Sequence, residues 1–341
     1  MSLLPIEIAG LSNANIVLHM LEVWKSYESS GASSHWQILG PQSEIRIEKE
    51  AIVALRGAGF GDCQKLGIEV SRVFHFATIL SYLAILRNRL SILPWMRHAR
   101  KMLYRLNDLD MFFSYDVFRQ CCIASILEPY VARWRNPNVL LIGDGYGILS
   151  GLLKIRFPES RLFLVDIFPA LFFQAVILGK SMPGVRQELA WSDGIRKNET
   201  GDHNIPAEIT FCHANDLSLL DGNTFHITIN VASMQEMTPD SVRYYFTFIR
   251  SHISAEGLFY CCNREEKVLP GSEVLRFDDY PWNKADSHLI DEEPPFYRWF
   301  FSPRPTARHL RIATIPVPFG RLFDGPIRHR LTRLFPNGLD S

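Results

Sequence analysis

Three glycines within five residues, Gly143-Asp144-Gly145-Tyr146-Gly147, close the short apolar run Val139-Leu140-Leu141-Ile142. Glycine has no Cβ, so a chain built this way turns tightly and brings its backbone against a ligand that a side chain would exclude. A second apolar run, Leu162-Phe163-Leu164-Val165, ends in Asp166, nineteen residues after Gly147 and followed by Ile167. A carboxylate at that offset can accept both hydroxyls of a ribose, so the two runs together predict a nucleoside-type ligand. Either feature alone fits an ordinary polar turn; the spacing between them favours the ligand.

The glycine spacing also discriminates among ligands. A dinucleotide fingerprint, G-x-G-x-x-G, would need glycine at position 148, where Ile148 stands. S-adenosylmethionine has no pyrophosphate to cradle, and the shorter G-x-G-x-G spacing favours it over NAD.

Further polar residues close the later apolar runs. Ile209-Thr210-Phe211 leads into His213-Ala214-Asn215-Asp216, and Asn215 and Asp216 stand where an adenine amino group would be met, although a plain polar turn fits equally well. Ile227–Val231 leads through Asn230 into Ser233-Met234-Gln235-Glu236-Met237, and Leu258-Phe259-Tyr260 leads to Asn263 and Arg264. Polar tips on several neighbouring runs are hard to attribute to packing.

The elements that must position these residues alternate. Helix-length segments at Ser150–Arg156, Pro169–Lys180 and Pro239–Ile253 separate the apolar runs, the last with Thr238 as N-cap and Pro239 at its first position. Strands alternating with helices predict an α/β parallel sheet with helices on both faces, its ligands at the carboxyl ends of the strands. Upstream, Ile16, His19, Met20 and Trp24, then Val70, Val73, Phe74 and Ile79, fall at helical spacing. The reading divides the chain into a mainly helical N-terminal or lid region, 1–135, and a Rossmann-like domain with a basic C-terminal segment, 136–341. Phe112, Phe113, Tyr115 and Asp116 lie just before the first strand and are expected to wall the acceptor pocket.

The stretch from Asn138 to Asp166 resembles the first two motifs of class I S-adenosylmethionine-dependent methyltransferases. Asn230–Met237, Asn263 and Phe277-Asp278-Asp279-Tyr280-Pro281-Trp282 resemble the bacterial putative sugar O-methyltransferase family, over roughly residues 100–300. The resemblance implies S-adenosyl-L-methionine as cofactor and methyl transfer to a hydroxyl of a glycan, lipopolysaccharide or glycosylated metabolite. A small non-sugar acceptor and an inactive binding module are the rival readings. The family usually carries an acidic residue two positions before the first motif glycine; here that residue is Leu141, and Asp144 is the candidate substitute.

Cofactor contacts are therefore expected from Gly143, Asp144, Gly145, Gly147, Asp166, Ile167, Asn215, Asp216, Asn230 and Ser233, and acceptor contacts from Tyr115, Gln235, Asn263 and Arg264. A hydroxyl acceptor benefits from a general base, and Glu236 is the first candidate; it could equally cap the helix from Pro239 or hold the cofactor's amino group. His213 is a weaker candidate, and His226 should lie at the wrong end of the sheet. Asp278 and Asp279, read as strand neighbours, point to opposite faces, so no metal is expected.

The 341 residues are 47% hydrophobic and carry 36 basic and 36 acidic side chains, a balance that argues against a protein coating nucleic acid. Six cysteines without CxxC spacing, and an N-terminus without a signal-peptide pattern, predict reduced thiols in a cytoplasmic protein. The apolar run Phe76–Leu86 is too short to span a bilayer. From Arg298 onward there are eight arginines against Asp324 and Asp340. That segment reads as a solvated basic tail, or as a contact for an anionic substrate or membrane surface. Homodimer formation is left open.

Overall fold

The computed structural model describes residues 6–26, 33–57, 63, 86, 89–191, 194–197, 206–297, 309–312, 315–321 and 326–335. The N-terminal part holds β1 (Ile6–Glu7), α1 (Ala14–Ser26), α2 (Ser34–Leu39), β2 (Glu44–Glu48), β3 (Ala51–Arg56), α3 (Ile92–Tyr104) and α4 (Tyr115–Val131). Helices predominate there, as the spacing of Ile16, His19 and Met20 predicts, but β1, β3 and β2 also form a three-stranded antiparallel sheet that the periodicity missed. The predicted helical run at Val70–Ile79 lies outside the described residues. No described helix is long and apolar enough to cross a membrane.

The rest of the chain builds the main sheet. Its elements are β4 (Asn138–Ile142), α5 (Ile148–Arg156), β5 (Arg161–Asp166), α6 (Phe168–Ser181), β6 (Gln187–Trp191), β7 (Gly194–Lys197), β8 (Ile209–His213), β9 (Phe225–Val231), α7 (Pro239–His252) and β10 (Ile253–Arg264). The hairpin β11 (Glu266–Val268) and β12 (Val274–Arg276) follows, then β13 (Ser287–Glu292), β14 (His309–Ile312), β15 (Ile315–Arg321) and β16 (Ile327–Arg333). Nine described strands are ordered β13-β16-β10-β9-β4-β5-β8-β6-β7. The core from β6 to β10 is parallel; β16 runs antiparallel between β10 and β13, and β7 antiparallel to β6. This is a Rossmann-like α/β fold.

Burial explains why the strands read as continuous apolar runs. Val139 and Leu141 of β4 pack into one hydrophobic cluster with α3, α4, α5 and α6, while Leu140 and Ile142 pack into a second with α7. Adjacent residues thus enter cores on opposite faces, as a sheet covered on both sides requires. Thr238 Oγ1 accepts from the Ser241 amide at 3.1 Å and Pro239 opens α7, as predicted.

The strand order decides where a ligand can bind. From β4 the chain moves outward through β5 to β6 and β7 at the edge, comes back to insert β8 between β5 and β6, and then crosses to β9 on the other side of β4. The carboxyl ends of β4 and β9 therefore flank the switch point at which such sheets open a crevice.

Two expectations are corrected. The C-terminal arginines are not all in a solvated tail, because Arg328, Arg330 and Arg333 lie in β16, inside the main sheet. Arg330, 5% exposed, donates to Asp291 at 2.9 Å and stacks over the Trp282 ring at 4.6 Å, and Arg328 also pairs with Asp291 and Asp278. Asp278 and Asp279 belong to a 3-10 turn, Phe277–Asp279, rather than a strand. Their geometry comes from that turn and from the pairing of Asp278 with Arg328 and Arg330.

Candidate active site

β4 delivers its glycine run at the crevice. Gly143, Gly145 and Gly147 have φ of 75°, 59° and 74°, the left-handed region that favours glycine. At Gly143 the space is also closed: an added Cβ would come within 2.0 Å of Ser233 Oγ. The Asp144 carboxylate accepts from the Ser150 amide at 2.9 Å, so it satisfies a free N–H at the start of α5. Burial nevertheless pushes Asp144 up to about 6, with the Ser150 bonds opposing. Leu141, in the position usually acidic, is 1% exposed in the core.

Asp166 ends β5 beside this loop. One carboxylate oxygen accepts from the Ile167 amide at 2.9 Å and the other from Gln174 Nε2 at 2.8 Å. Burial lifts its pKa to about 7, and the neighbouring charge of Asp144 adds to the rise. Burial thus disfavours ionisation of two carboxyls at the end of one crevice, which marks them as candidates for a functional site. Gln174, on α6, was not singled out by the sequence; its spacing of eight residues from Asp166 carried no signal.

The ends of β9 and β10 form a buried polar lattice. Asn230 Nδ2 donates to the Ile142 carbonyl at 2.9 Å and to Ser233 Oγ at 2.6 Å, while its Oδ1 accepts from the Met234 amide at 3.2 Å and from Asn263 Nδ2 at 2.8 Å. Those four bonds use the whole capacity of an amide side chain. Ser233 Oγ also donates to the Ile142 carbonyl at 3.1 Å. Asn263 Oδ1 accepts from the Gln235 amide at 3.1 Å, and Gln235 Oε1 from the Arg264 amide at 2.8 Å. Asn230, Ser233, Gln235 and Asn263, expected to face the ligands, are engaged with one another and lock the tips of β4, β9 and β10 together.

Glu236 closes the 3-10 turn after β9. One carboxylate oxygen meets Lys267 Nζ at 2.9 Å and the other meets His35 Nε2 at 3.4 Å. Its backbone carbonyl accepts from the Ser33 hydroxyl. Burial alone would raise its pKa, but the facing His35 and the Lys267 ammonium hold it below the usual carboxylate range. A carboxylate whose ionised form is favoured in this way is a weaker proton acceptor than a free one. The cap of α7 is Thr238, not Glu236. Ser33, His35 and Lys267 were missed by the sequence reading, since nothing local marks residues that meet across some two hundred positions.

The remaining candidates lie around this centre. Asn215 is exposed after β8, and Asp216 sits 3.9 Å from His213 Nδ1. The His213 ring lies 4.9 Å from that of Trp191, and burial lowers its pKa. His226 accepts from the Asn138 amide at 2.9 Å, at the amino end of β4 as expected. Tyr115 donates to the Phe296 carbonyl at 3.1 Å and Asp116 pairs with Arg119 at 2.9 Å, both at the start of α4. Tyr146, within the glycine loop, donates to the Gly57 carbonyl at 3.1 Å, tying the loop to the end of β3.

A parallel sheet with its switch point at a glycine-rich turn, and a carboxylate at the tip of the next strand, defines a Rossmann-like α/β protein whose crevice opens at that turn. No protein-family model and no curated protein matches the chain. Among solved structures it is similar to a TehB-like SAM-dependent methyltransferase from Corynebacterium glutamicum, at 12% identity and TM-score 0.37 over 63% of this chain and 88% of that one. It is also similar to coclaurine N-methyltransferase bound to N-methylheliamine and SAH, at 10% identity and TM-score 0.40 over 65% and 74%. A third is precorrin-6y C5,15-methyltransferase from Geobacter metallireducens, at 10% identity and TM-score 0.33 over 62% and 88%. The fold assignment rests on the strand order described above.

Proposed function

We propose that the chain is an S-adenosylmethionine-dependent methyltransferase that acts on a hydroxyl, with a sugar of a polysaccharide, lipopolysaccharide or glycosylated metabolite as the acceptor. The observation that carries the cofactor is the juxtaposition of three left-handed glycines with the half-buried carboxyl of Asp166 at the switch point. The glycine loop presents bare backbone, and Asp166 offers oxygens to a ribose. Ile148 at the third fingerprint position is 3% exposed and opens α5, so the glycine that packs the helix close to the strand in a dinucleotide site is replaced by a core side chain. A dinucleotide sheet of the doubly wound type continues parallel, whereas here antiparallel β16 follows β10. The sugar acceptor rests on the resemblance of Asn230–Met237 and Phe277–Trp282 to the sugar O-methyltransferase family.

The cofactor supplies an electrophilic methyl group on a sulfonium, and the protein's own task is alignment, which can lower a barrier by about 7–11 kcal/mol. The lattice of Asn230, Ser233 and Asn263 fixes the tips of three strands relative to the loop. Ile167 and the turn at Asn215 and Asp216 are assigned to the adenosine end, and Asp144 to the end that Leu141 leaves without a carboxylate. Tyr115 and Arg264 are assigned to the acceptor side. Six cysteines without CxxC spacing support a cytoplasmic setting.

Isothermal calorimetry with S-adenosylhomocysteine and with NAD tests the reading. Binding of the first and not the second is expected. Folded protein that gives no heat with S-adenosylhomocysteine would end the methyltransferase assignment. The acceptor class is tested by mass spectrometry of surface glycans and metabolites from a deletion strain, where species lighter by one methyl group are expected.

A further inference from the structure

Glu236 was the expected base, yet its carboxylate lies between the Lys267 ammonium and the His35 imidazole rather than in open reach of an acceptor. The groups around it come from three separate segments. Ser33 and His35 belong to the start of α2, Lys267 to β11, and Glu236 itself to the turn after β9. The same start of α2 is fastened a second time, because Ser34 Oγ donates to Glu273 at 3.2 Å and accepts from the Gly271 amide at 3.0 Å. The N-terminal region thus reaches over the carboxyl edge of β9 and is held there by the β11–β12 hairpin. Ser233, three residues before Glu236, closes on Gly143, which places this cluster next to the cofactor loop.

We infer that His35, not Glu236, is the general base of the proposed methyl transfer, with Glu236 as its positioning residue. The inference rests on the methyltransferase reading and deepens it. Glu236 Oε2 lies 3.4 Å from Nε2 of the imidazole, outside hydrogen-bond geometry, and the facing carboxylate favours the neutral tautomer with its hydrogen on Nε2 and the lone pair on Nδ1. A base oriented by a carboxylate on its far nitrogen is an arrangement that general-base chemistry reuses across folds. Lys267 occupies the other oxygen of Glu236 and keeps the carboxylate ionised. Glu236 therefore stabilises the imidazolium as it forms instead of taking the proton itself. The charged groups facing His35 from the packed elements are Glu236 and Lys267, with Glu273 beyond Ser34. The 3.4 Å separation is long for a hydrogen bond and suits a resting site that tightens when the ring becomes charged.

The chemistry balances without a further reactant. The acceptor O–H bond breaks and its proton goes to Nδ1 of His35. The oxygen's electron pair forms the new C–O bond to the methyl carbon, and the C–S pair returns to sulfur, leaving a neutral thioether. His35 then releases the proton to water.

Two measurements test the inference, and the first needs no acceptor. Nitrogen-15 NMR of histidine-labelled protein, with and without S-adenosylhomocysteine, reports the tautomer of His35. The Nε2–H form is expected in the native protein and a mixture of tautomers in Glu236→Ala. A His35 tautomer indifferent to Glu236→Ala overturns the pairing. The second follows transfer of tritiated methyl from S-adenosylmethionine into a glycan and metabolite extract of a deletion strain. His35→Ala is expected to bind S-adenosylhomocysteine within about twofold of the native protein and to transfer at least about 10²-fold more slowly. Added imidazole should restore part of that rate, which a purely structural loss would not allow. A His35→Ala protein with native affinity and native rate overturns the base assignment alone. Absence of S-adenosylhomocysteine binding by the native protein overturns the methyltransferase reading instead.

Discussion

At the scale of single residues, Gly143 is the sharpest constraint on the loop. It is needed twice over, for its φ of 75° and because a Cβ would collide with Ser233 Oγ. Gly143→Ala is expected to lower stability by about 2–4 kcal/mol, through strain and displacement of Ser233. Urea denaturation would show it, and an unchanged midpoint would mean that the Ser233 contact yields easily. Asp166 gives a pH dependence whose sign can be worked out. Its carboxyl in the free protein titrates near 7, while hydroxyl donors of a ribose bind the ionised form. Nucleoside binding therefore expels a proton, and affinity rises with pH through the free-state value. The S-adenosylhomocysteine dissociation constant should fall by up to about tenfold between pH 6 and 8. In Asp166→Asn the affinity should be weaker throughout and this slope reduced. A slope as steep in the variant as in the native protein would assign the proton elsewhere, with Asp144 the next group to substitute.

Among the elements, β16 is the one whose character changed most between sequence and structure. Its composition is that of a basic tail, yet its side chains enter a sheet. His329 is 1% exposed, with Nδ1 at 3.1 Å from the Tyr260 hydroxyl, and burial lowers its pKa to about 4 despite the nearby Glu292. The unfolded chain takes up a proton near the ordinary histidine value, whereas the folded one resists until about pH 4. This depressed base contributes stability that is complete above pH 6.5 and is lost as the pH falls from 6.5 toward 4, by up to about 3 kcal/mol. Thermal denaturation from pH 7 to 4 should show the loss, and His329→Gln should flatten it. Retention of the full acid slope in that variant would move the effect to other groups. Neighbouring Arg330 is neutralised by Asp291 and stacked on Phe277 and Trp282, so aromatic residues of the Phe277–Trp282 motif receive a strand that charge alone would keep in water.

For the whole molecule, the N-terminal region and the Rossmann-like sheet share a core. One hydrophobic cluster runs from Ile6 and Ile16 through Leu141 to Leu331. The join has a polar centre in Asn13, fully buried, whose Nδ2 donates to the Ala175 carbonyl at 2.9 Å and to Gln187 Oε1 at 2.8 Å. Gly179 is small where it is because a Cβ would meet Asn13 Oδ1 at 2.0 Å. Asn13→Ala removes both donations, leaving the buried Gln187 Oε1 without that donor and the Ala175 carbonyl with only its helical bond, so a loss of about 1–3 kcal/mol is expected. Because the join spans both parts, one cooperative unfolding transition should shift as a unit. A separate early transition, with the sheet unaffected, would show that the N-terminal region folds independently. This region also brings Gly57 to Tyr146 and His35 to Glu236, so the N-terminal part contributes to both the cofactor loop and the proposed acceptor side.

The sequence by itself determined the first half of the main sheet, the glycine loop, Asp166 at the tip of β5, and α7 with its Thr238 cap. These depend on local physics: apolar runs short enough for strands, breakers between them, and residues whose backbone preference or capping oxygen acts within a few positions. The tertiary structure decided what no local pattern encodes. The chain crosses back from β8 to lay β9 beside β4, which makes the glycine turn a crevice. β16 is recruited from an arginine-rich segment because Asp278, Asp291 and an aromatic cluster compensate its charge. Asn230 and Asn263 turn inward, since their amides complete one another's hydrogen bonds. Glu236 meets His35 and Lys267, and its charge state is set by those long-range partners rather than by the turn on which it stands. Residue types and spacing announce which groups are able to do chemistry; their partners, and hence their protonation and role, come from packing between segments far apart in the chain.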